Sequence, residues 1–149
     1  MPKILYFDMD NVLVDFLSAV PLLSPEVLKK YDGNLDEVPG IFSLMAPLPG
    51  AIDAFNELSV LFDAYILSTA PWGNPSAWSD KLLWVKRHLG AAAHTRLILS
   101  HHKNLNRGDF LVDDRTKHGA GDFVGVHIRF GTEPFPDWPT VTAFLRNAA

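Results

Sequence analysis

Along this chain, short unbroken apolar runs alternate with longer stretches in which apolar residues recur every three or four positions. Four runs end abruptly in polar residues: Ile4-Leu5-Tyr6-Phe7 before Asp8-Met9-Asp10, Ala64-Tyr65-Ile66-Leu67 before Ser68-Thr69, Leu97-Ile98-Leu99 before Ser100, and Phe110-Leu111-Val112 before Asp113-Asp114. A continuous apolar run of this length predicts a strand buried on both faces. A fifth run, Val126-His127-Ile128-Arg129-Phe130, alternates more and predicts an edge strand. Between them lie helical patterns. Gly50 to Phe62 places Ile52, Phe55, Leu58 and Leu61 on one side. Asn74-Pro75 opens a second helix, with Pro where its missing N–H costs nothing, a stripe of Trp78, Leu82, Val85 and Leu89, and Gly90 as the stop. Asp137 is the expected N-cap of a final helix running to about Arg146. Strands alternating with helices predict a Rossmann-like α/β fold, an open, mostly parallel sheet with helices on both faces and right-handed crossovers. Ligands of such a sheet sit beyond the carboxyl ends of its strands.

One stretch breaks the alternation. Between Phe16 and Leu48 lie Pro21, Pro25, Pro39 and Pro47, one helix from Ser24 to Tyr31, and a turn-rich DGNLDEVPG. It follows the first strand, so residues 17–47 are expected to form a short cap over the active end of one domain spanning 1–149. The length of 149 residues, with 48% hydrophobic and 20% charged, suits one soluble domain with a real core. A formal net charge of −4 is the wrong sign for a nucleic-acid polymer as partner. The absence of cysteine removes disulfides, thiol nucleophiles and Cys-based zinc sites. The opening MPKILYFDMD has no long apolar run behind a basic start, and no stretch is apolar enough to span a membrane. A cytoplasmic location is the expectation.

Chemistry concentrates where the apolar runs end. The first strand delivers Asp8 and Asp10, the second Ser68 and Thr69, the fourth Asp113 and Asp114, and Lys103 follows the third by a few residues. In a parallel sheet these ends converge on one rim. Carboxylates that close together repel unless a cation lies between them. Oxygen-only ligands favour a hard ion, and Mg²⁺ is the natural choice.

The ordered set Asp8-Met9-Asp10-Asn11-Val12-Leu13, Ser68-Thr69-Ala70-Pro71, Lys103 and Asp113-Asp114 resembles the four motifs of haloacid dehalogenase-like phosphohydrolases. The longer DMDNVLVDF, with PLPGA and STAP, is most similar to the 5′(3′)-deoxyribonucleotidase family within them. The resemblance implies a Mg²⁺-dependent phosphomonoester hydrolase acting on a small phosphorylated substrate, a (deoxy)nucleoside monophosphate. It casts Asp8 as nucleophile and Asp10 as general acid and base. Thr69 and Lys103 would bind phosphate, and Phe16 and Trp72 would contact the leaving group. The metal would be held by Asp8, the Asp10 backbone carbonyl and the Asp113-Asp114 pair, with the family leaning to Asp114 as the direct ligand. Asn11 stands where many relatives have Gly, and Asn tolerates the left-handed turn.

Blander readings exist for several of these residues. Ser68 reads as a helix cap, Phe16 equally as core, Trp78 and Trp84 as packing, and adjacent His101 and His102 as solvated rather than metal-binding. Two rival functions remain: a phosphatase of another small phosphometabolite, and a phospho-accepting receiver domain. A receiver accepts phosphate on a mid-chain Asp, where this chain offers Ser68-Thr69.

Overall fold

The computed structural model describes residues Met1–Ala149. In chain order the elements are β1 (Ile4–Phe7), β2 (Val14–Asp15), α1 (Pro25–Lys30), β3 (Ala46–Pro47), α2 (Ala51–Leu61), β4 (Asp63–Ser68), α3 (Pro75–His88), β5 (Leu97–Leu99), β6 (Phe110–Asp113), β7 (Val126–Arg129) and α4 (Trp138–Ala148), joined in places by short 3₁₀ turns. The main sheet runs β5-β4-β1-β6-β7 with every pair parallel. β1 is therefore central, and the chain leaves it first toward β4 and later returns to its other side as β6. That reversal opens a crevice at the carboxyl ends of β1 and β6, the position where open α/β sheets bind ligands.

Alternation along the buried strands divides the interior in two. Leu5, Phe7, Ile66, Val112 and Ile128 share one core with Phe55 and Leu58 of α2, Trp84 and Val85 of α3, and Trp138, Val141 and Leu145 of α4. On the other face Tyr6, Leu67 and Leu111 meet Ala120 and Phe123, in and beside the 3₁₀ turn Ala120–Asp122. The two faces are thus unequally covered, with the long helices together on one of them.

Two of these helices, α2 and α3, sit on the sheet rotated from the expected stripe. In α2 the buried residues are Ala51, Ala54, Phe55 and Leu58, while Leu61 is 40% exposed. In α3 they are Ala77, Lys81, Trp84 and Val85, while Trp78 and Leu82 are 37% and 43% exposed. Small alanines lie against the sheet where bulkier neighbours were expected, since close helix–sheet approach rewards a small residue at the contact. In α3 the rotation has a chemical result: it turns Lys81 inward.

The segment after β1 is closed at its base by antiparallel pairing of β2 with β3, Val14 opposite Pro47 and Asp15 opposite Ala46. Its apolar residues Ala19, Val38, Ile41, Phe42 and Met45 belong to the main core. Polar bonds fasten it along α3. The Asn74 amide donates to the carbonyls of Asp36 and Val38 at 2.9 and 3.0 Å, the Gly40 N–H donates to Ser76 Oγ at 2.9 Å, and Trp84 Nε1 donates to the Met45 carbonyl at 3.0 Å. α1 begins at the Ser24 N-cap, whose Oγ accepts the Val27 N–H at 3.2 Å.

The loop that follows β1 is equally determined. Asn11 has φ of 62°, the left-handed geometry that Asn tolerates. The Met9 carbonyl accepts the N–H groups of Val12, Leu13 and Val14 at 3.1, 2.9 and 2.9 Å. Trp138 Nε1 donates to the Val12 carbonyl at 2.7 Å and its ring packs on Phe7 and Phe130, tying α4 to this loop. Trp138→Phe keeps most of the packing but orphans that carbonyl, so it should destabilise the protein by about 1–3 kcal/mol in urea unfolding. An unchanged midpoint would show that the bond does not anchor the loop.

Candidate active site

Asp8 extends the β1 ladder by one residue, its N–H donating to the Val112 carbonyl at 2.9 Å, which brings Asp8 beside the end of β6. The Asp8 carboxylate is nearly buried, and Lys103 Nζ lies 3.0 Å from its Oδ1 and 2.6 Å from Asp113 Oδ2. Lys103 is itself 3% exposed, in a 3₁₀ turn whose backbone is fixed by its N–H donating to the His118 carbonyl at 2.7 Å. Asp113 Oδ1 accepts the Arg115 N–H at 3.0 Å, so both Asp113 oxygens have donors. Asp114 Oδ1 is buried without any hydrogen-bond partner.

Carboxylate oxygens of Asp8, Asp113 and Asp114 lie within 4.8 Å of one another. Burial, then the charge of Asp8, pushes Asp113 up to about 7 and Asp114 up to about 6. Asp8 itself is lowered: burial opposes its ionisation, but Lys103 and then Lys81 outweigh it. Lys103 is raised, because Asp8 and Asp113 more than offset its desolvation. Three converging carboxylates, one of which carries an orphaned buried oxygen, fit a divalent cation such as Mg²⁺.

Asp10 has a different partner. Its Oδ2 lies 3.1 Å from Lys81 Nζ, and the same ammonium donates to Ser68 Oγ at 2.9 Å. Its carboxyl is raised by burial, with the Asp8 charge adding to that and Lys81 opposing. Ser68 is therefore a lysine acceptor rather than the helix cap that sequence suggested. An α3 stripe through Trp78 and Leu82 leaves Lys81 off the expected buried face. The signal was present in Ala77, Lys81, Trp84 and Val85, which recur at the spacing of one helical face.

The remaining residues surround a cleft of about 660 Å³, lined by Asp10, Phe16, Thr69, Trp72, His101 and Arg115 among others. The Thr69 hydroxyl donates to the Ser100 carbonyl at 2.7 Å. Phe16 both lines the cleft and packs edge-on against Phe42 at 6.0 Å, so its two readings hold together. Trp72 is 83% exposed and leans on His101, which also meets His118 at 5.8 Å. The segment after β1 contributes Gly33, Leu35, Asp36 and Glu37 to the cleft wall. A larger groove of about 950 Å³, lined by Leu82, Val85, Leu97 and Leu99 among others, contains no carboxylate.

A parallel sheet with acidic residues after β1 and β6, Ser-Thr after β4 and a buried lysine between them defines a haloacid dehalogenase-like hydrolase. Solved structures of that class share the fold. One from Xanthomonas campestris superposes with a TM-score of 0.63 over 98% of this chain and 95% of its own, at 9% identity. One from Bacillus subtilis, bound to magnesium, gives 0.59 over 91% and 90%, at 14% identity. Residues 22–135 match the family described as 5′ nucleotidase, deoxy (pyrimidine), cytosolic type C. A protein of Vibrio phage KVP40 to which 5′(3′)-deoxyribonucleotidase activity is ascribed is 60% identical over 144 residues, 97% of this chain and 85% of its own. The human cytosolic 5′(3′)-deoxyribonucleotidase is 35% identical, over 72% of this chain and 68% of its own. The chain belongs to the 5′(3′)-deoxyribonucleotidase family of phosphomonoester hydrolases.

Lys81→Met should be costly despite its conserved bulk, because it leaves the Asp10 carboxylate without its counter-charge. We expect a loss of about 3 kcal/mol in chemical denaturation. A variant as stable as wild type would show that the Asp10–Lys81 pair contributes nothing net.

Proposed function

We propose that this protein is a Mg²⁺-dependent phosphatase of (deoxy)nucleoside monophosphates that works through a phospho-aspartate on Asp8. The observation carrying this reading is the Asp8 carboxylate, kept ionised by Lys103 at 3.0 Å and set beside Asp113 and Asp114 at the sheet's switch point. Asp8, the Asp10 carbonyl and the Asp113-Asp114 pair would hold Mg²⁺, with Asp114 the freer ligand because both Asp113 oxygens already have donors. Bound there, the ion would supply charge neutralisation for the phosphoryl group.

The chain's own groups account for the bond changes. An Asp8 oxygen attacks phosphorus in line, the ester P–O bond breaks, and the leaving oxygen takes a proton from Asp10. Asp10 then removes a proton from water, whose oxygen attacks the phospho-aspartate, breaks its P–O bond and releases inorganic phosphate. The third Lys103 N–H would hold a phosphoryl oxygen through both steps, and Thr69 Oγ1 would join it by turning its hydrogen from the Ser100 carbonyl to the phosphate. Phe16 and Trp72 would receive the leaving group, one from the core side of the cleft and one from its exposed rim.

Residues 17–47 act in this reading as a short cap. Their wall is partial, so phosphate is recognised tightly and the leaving group loosely. No helix is long and apolar enough to cross a membrane. We assign the protein a cytoplasmic, small-molecule role without nucleic-acid polymer or membrane as partner.

Asp8→Asn should remove turnover while leaving the melting temperature near that of wild type, because an amide cannot form the acyl phosphate. Near-normal turnover by that variant would refute the nucleophile. Chelation of Mg²⁺ should abolish activity, and adding it back should restore activity and raise the melting temperature. Turnover that survives exhaustive chelation would reject the metal site. Across a panel of nucleoside monophosphates and sugar phosphates, kcat/KM should spread within about a hundredfold, and narrow further in Phe16→Ala and Trp72→Ala. Preference for one substrate by more than about ten-thousandfold would mean the cap completes a full pocket.

A further inference from the structure

Lys81 has no solvent-exposed surface, yet its ammonium carries three N–H donors that need partners. Asp10 Oδ2 at 3.1 Å and Ser68 Oγ at 2.9 Å account for two. The remaining neighbour is aromatic: Nζ stands 4.5 Å from the centroid of the Phe42 ring. The face of a benzene ring carries negative charge, and its attraction for a cation grows when water is excluded from both. An aliphatic side chain could fill the same space, but it would leave the third donor facing hydrocarbon.

Phe42 does not belong to the strand ends that supply the rest of the site. It lies in the 3₁₀ turn Ile41–Ser43 of the segment after β1, 3% exposed, and that turn is held to α3 through the Gly40–Ser76 bond. Its other neighbour is Phe16, whose ring lines the cleft. A continuous set of contacts therefore runs from the cleft wall through Phe16, Phe42 and Lys81 to Asp10.

We infer that Phe42 is a positioning residue for the hydrolase: its ring face holds the Lys81 ammonium at the point from which it orients the Asp10 carboxyl. The inference rests on the reading of Asp10 as the acid–base group. Phe42 touches no reacting atom and acts only through Lys81. The cap segment thus does more than wall the cleft, because it supplies the third partner of a lysine that the motifs leave incomplete.

Graded fluorination separates this role from simple packing. Mono-, di- and trifluorinated phenylalanine placed at position 42 of the full chain keep the ring's shape and apolarity while draining charge from its face. Two measurements follow the series, together with Phe42→Leu. The first is NMR of the lysine side chains and needs no turnover. In wild type the Lys81 ε-methylene protons should be shifted upfield by the ring. Phe42→Leu should lose that shift, and exchange of the Lys81 ammonium protons with water should quicken with each fluorine. The second is hydrolysis of thymidine 5′-monophosphate with saturating Mg²⁺. There kcat should fall stepwise, by about tenfold at the trifluorinated ring, while KM stays within about twofold. A flat kcat series, a loss confined to KM, or wild-type ε-protons without a ring shift would overturn the inference. If Phe42→Leu fails to fold, the fluorinated series decides alone. If the wild type hydrolyses no phosphomonoester, the hydrolase reading fails. The NMR series then still shows whether Phe42 holds Lys81, and uniform ammonium exchange across it would overturn the placement.

Discussion

Crowding of negative charge at one sheet edge is the constraint on which the rest of the structure depends. Asp8, Asp10, Asp113 and Asp114 end two neighbouring strands and are largely withdrawn from water, an arrangement that folding opposes. Two lysines answer it, each reaching in from a different direction. Lys103 bridges Asp8 and Asp113 from the turn after β5, and Lys81 takes Asp10 and Ser68 from the interior face of α3. Two ammoniums do not neutralise four carboxylates. Asp113 and Asp114 carry the residue as raised pKa values, and Asp114 keeps an unpartnered oxygen. The site is built with an electrostatic deficit that a divalent cation fits.

That requirement explains features that look remote from the chemistry. Lys103 can point inward only if its backbone is fixed, and the turn at His118-Gly119 does this. The His118 carbonyl accepts the Lys103 N–H from a left-handed residue with φ of 54°. Gly119 packs so closely that a Cβ there would collide with the Asn104 side chain and come within 2.9 Å of the Lys103 nitrogen. Lys81 likewise depends on α3 presenting Ala77, Trp84 and Val85 to the core. The exposure of Trp78 and Leu82 is the counterpart of burying an ammonium.

Much of this is legible in the amino-acid sequence. Unbroken apolar runs ending in Asp, Ser-Thr or Asp-Asp reveal both the strands and the rim on which they converge, because the two-sided burial of a parallel sheet leaves a strong pattern. Helix orientation was less legible. Periodicity specifies that a helix has an apolar side, but where exposed Trp and Leu compete with buried Ala, residue size misleads. Lys81 fell into that gap, since a lysine reads as solvated unless its partner charge is known. The bonds from Asn74, Ser76 and Trp84 to the segment after β1 were illegible for a related reason. They join side chains to backbone carbonyls and amides far away in sequence, and no local spacing encodes them.

The same electrostatics separates the two ends of the cleft. At the carboxylate end, which the proposed reading gives to the phosphate, three charged groups are firmly anchored: Lys103, Lys81 and Asp113 are buried, and each has at least two polar partners. At the other end, which that reading gives to the leaving group, Trp72 stands exposed on the rim, and Asp36 and Glu37 of the wall are exposed as well. Groups that are already held in place lose little freedom when a ligand arrives, whereas exposed side chains must be ordered by it. In the proposed reading, binding energy would therefore be concentrated on the phosphoryl group, where charge changes during the reaction, with little left to distinguish one leaving group from another. Phe16 is the exception. It reaches the cleft from the core side and packs on Phe42, whose ring faces the buried Lys81 ammonium, so this part of the wall is continuous with the buried charges behind it.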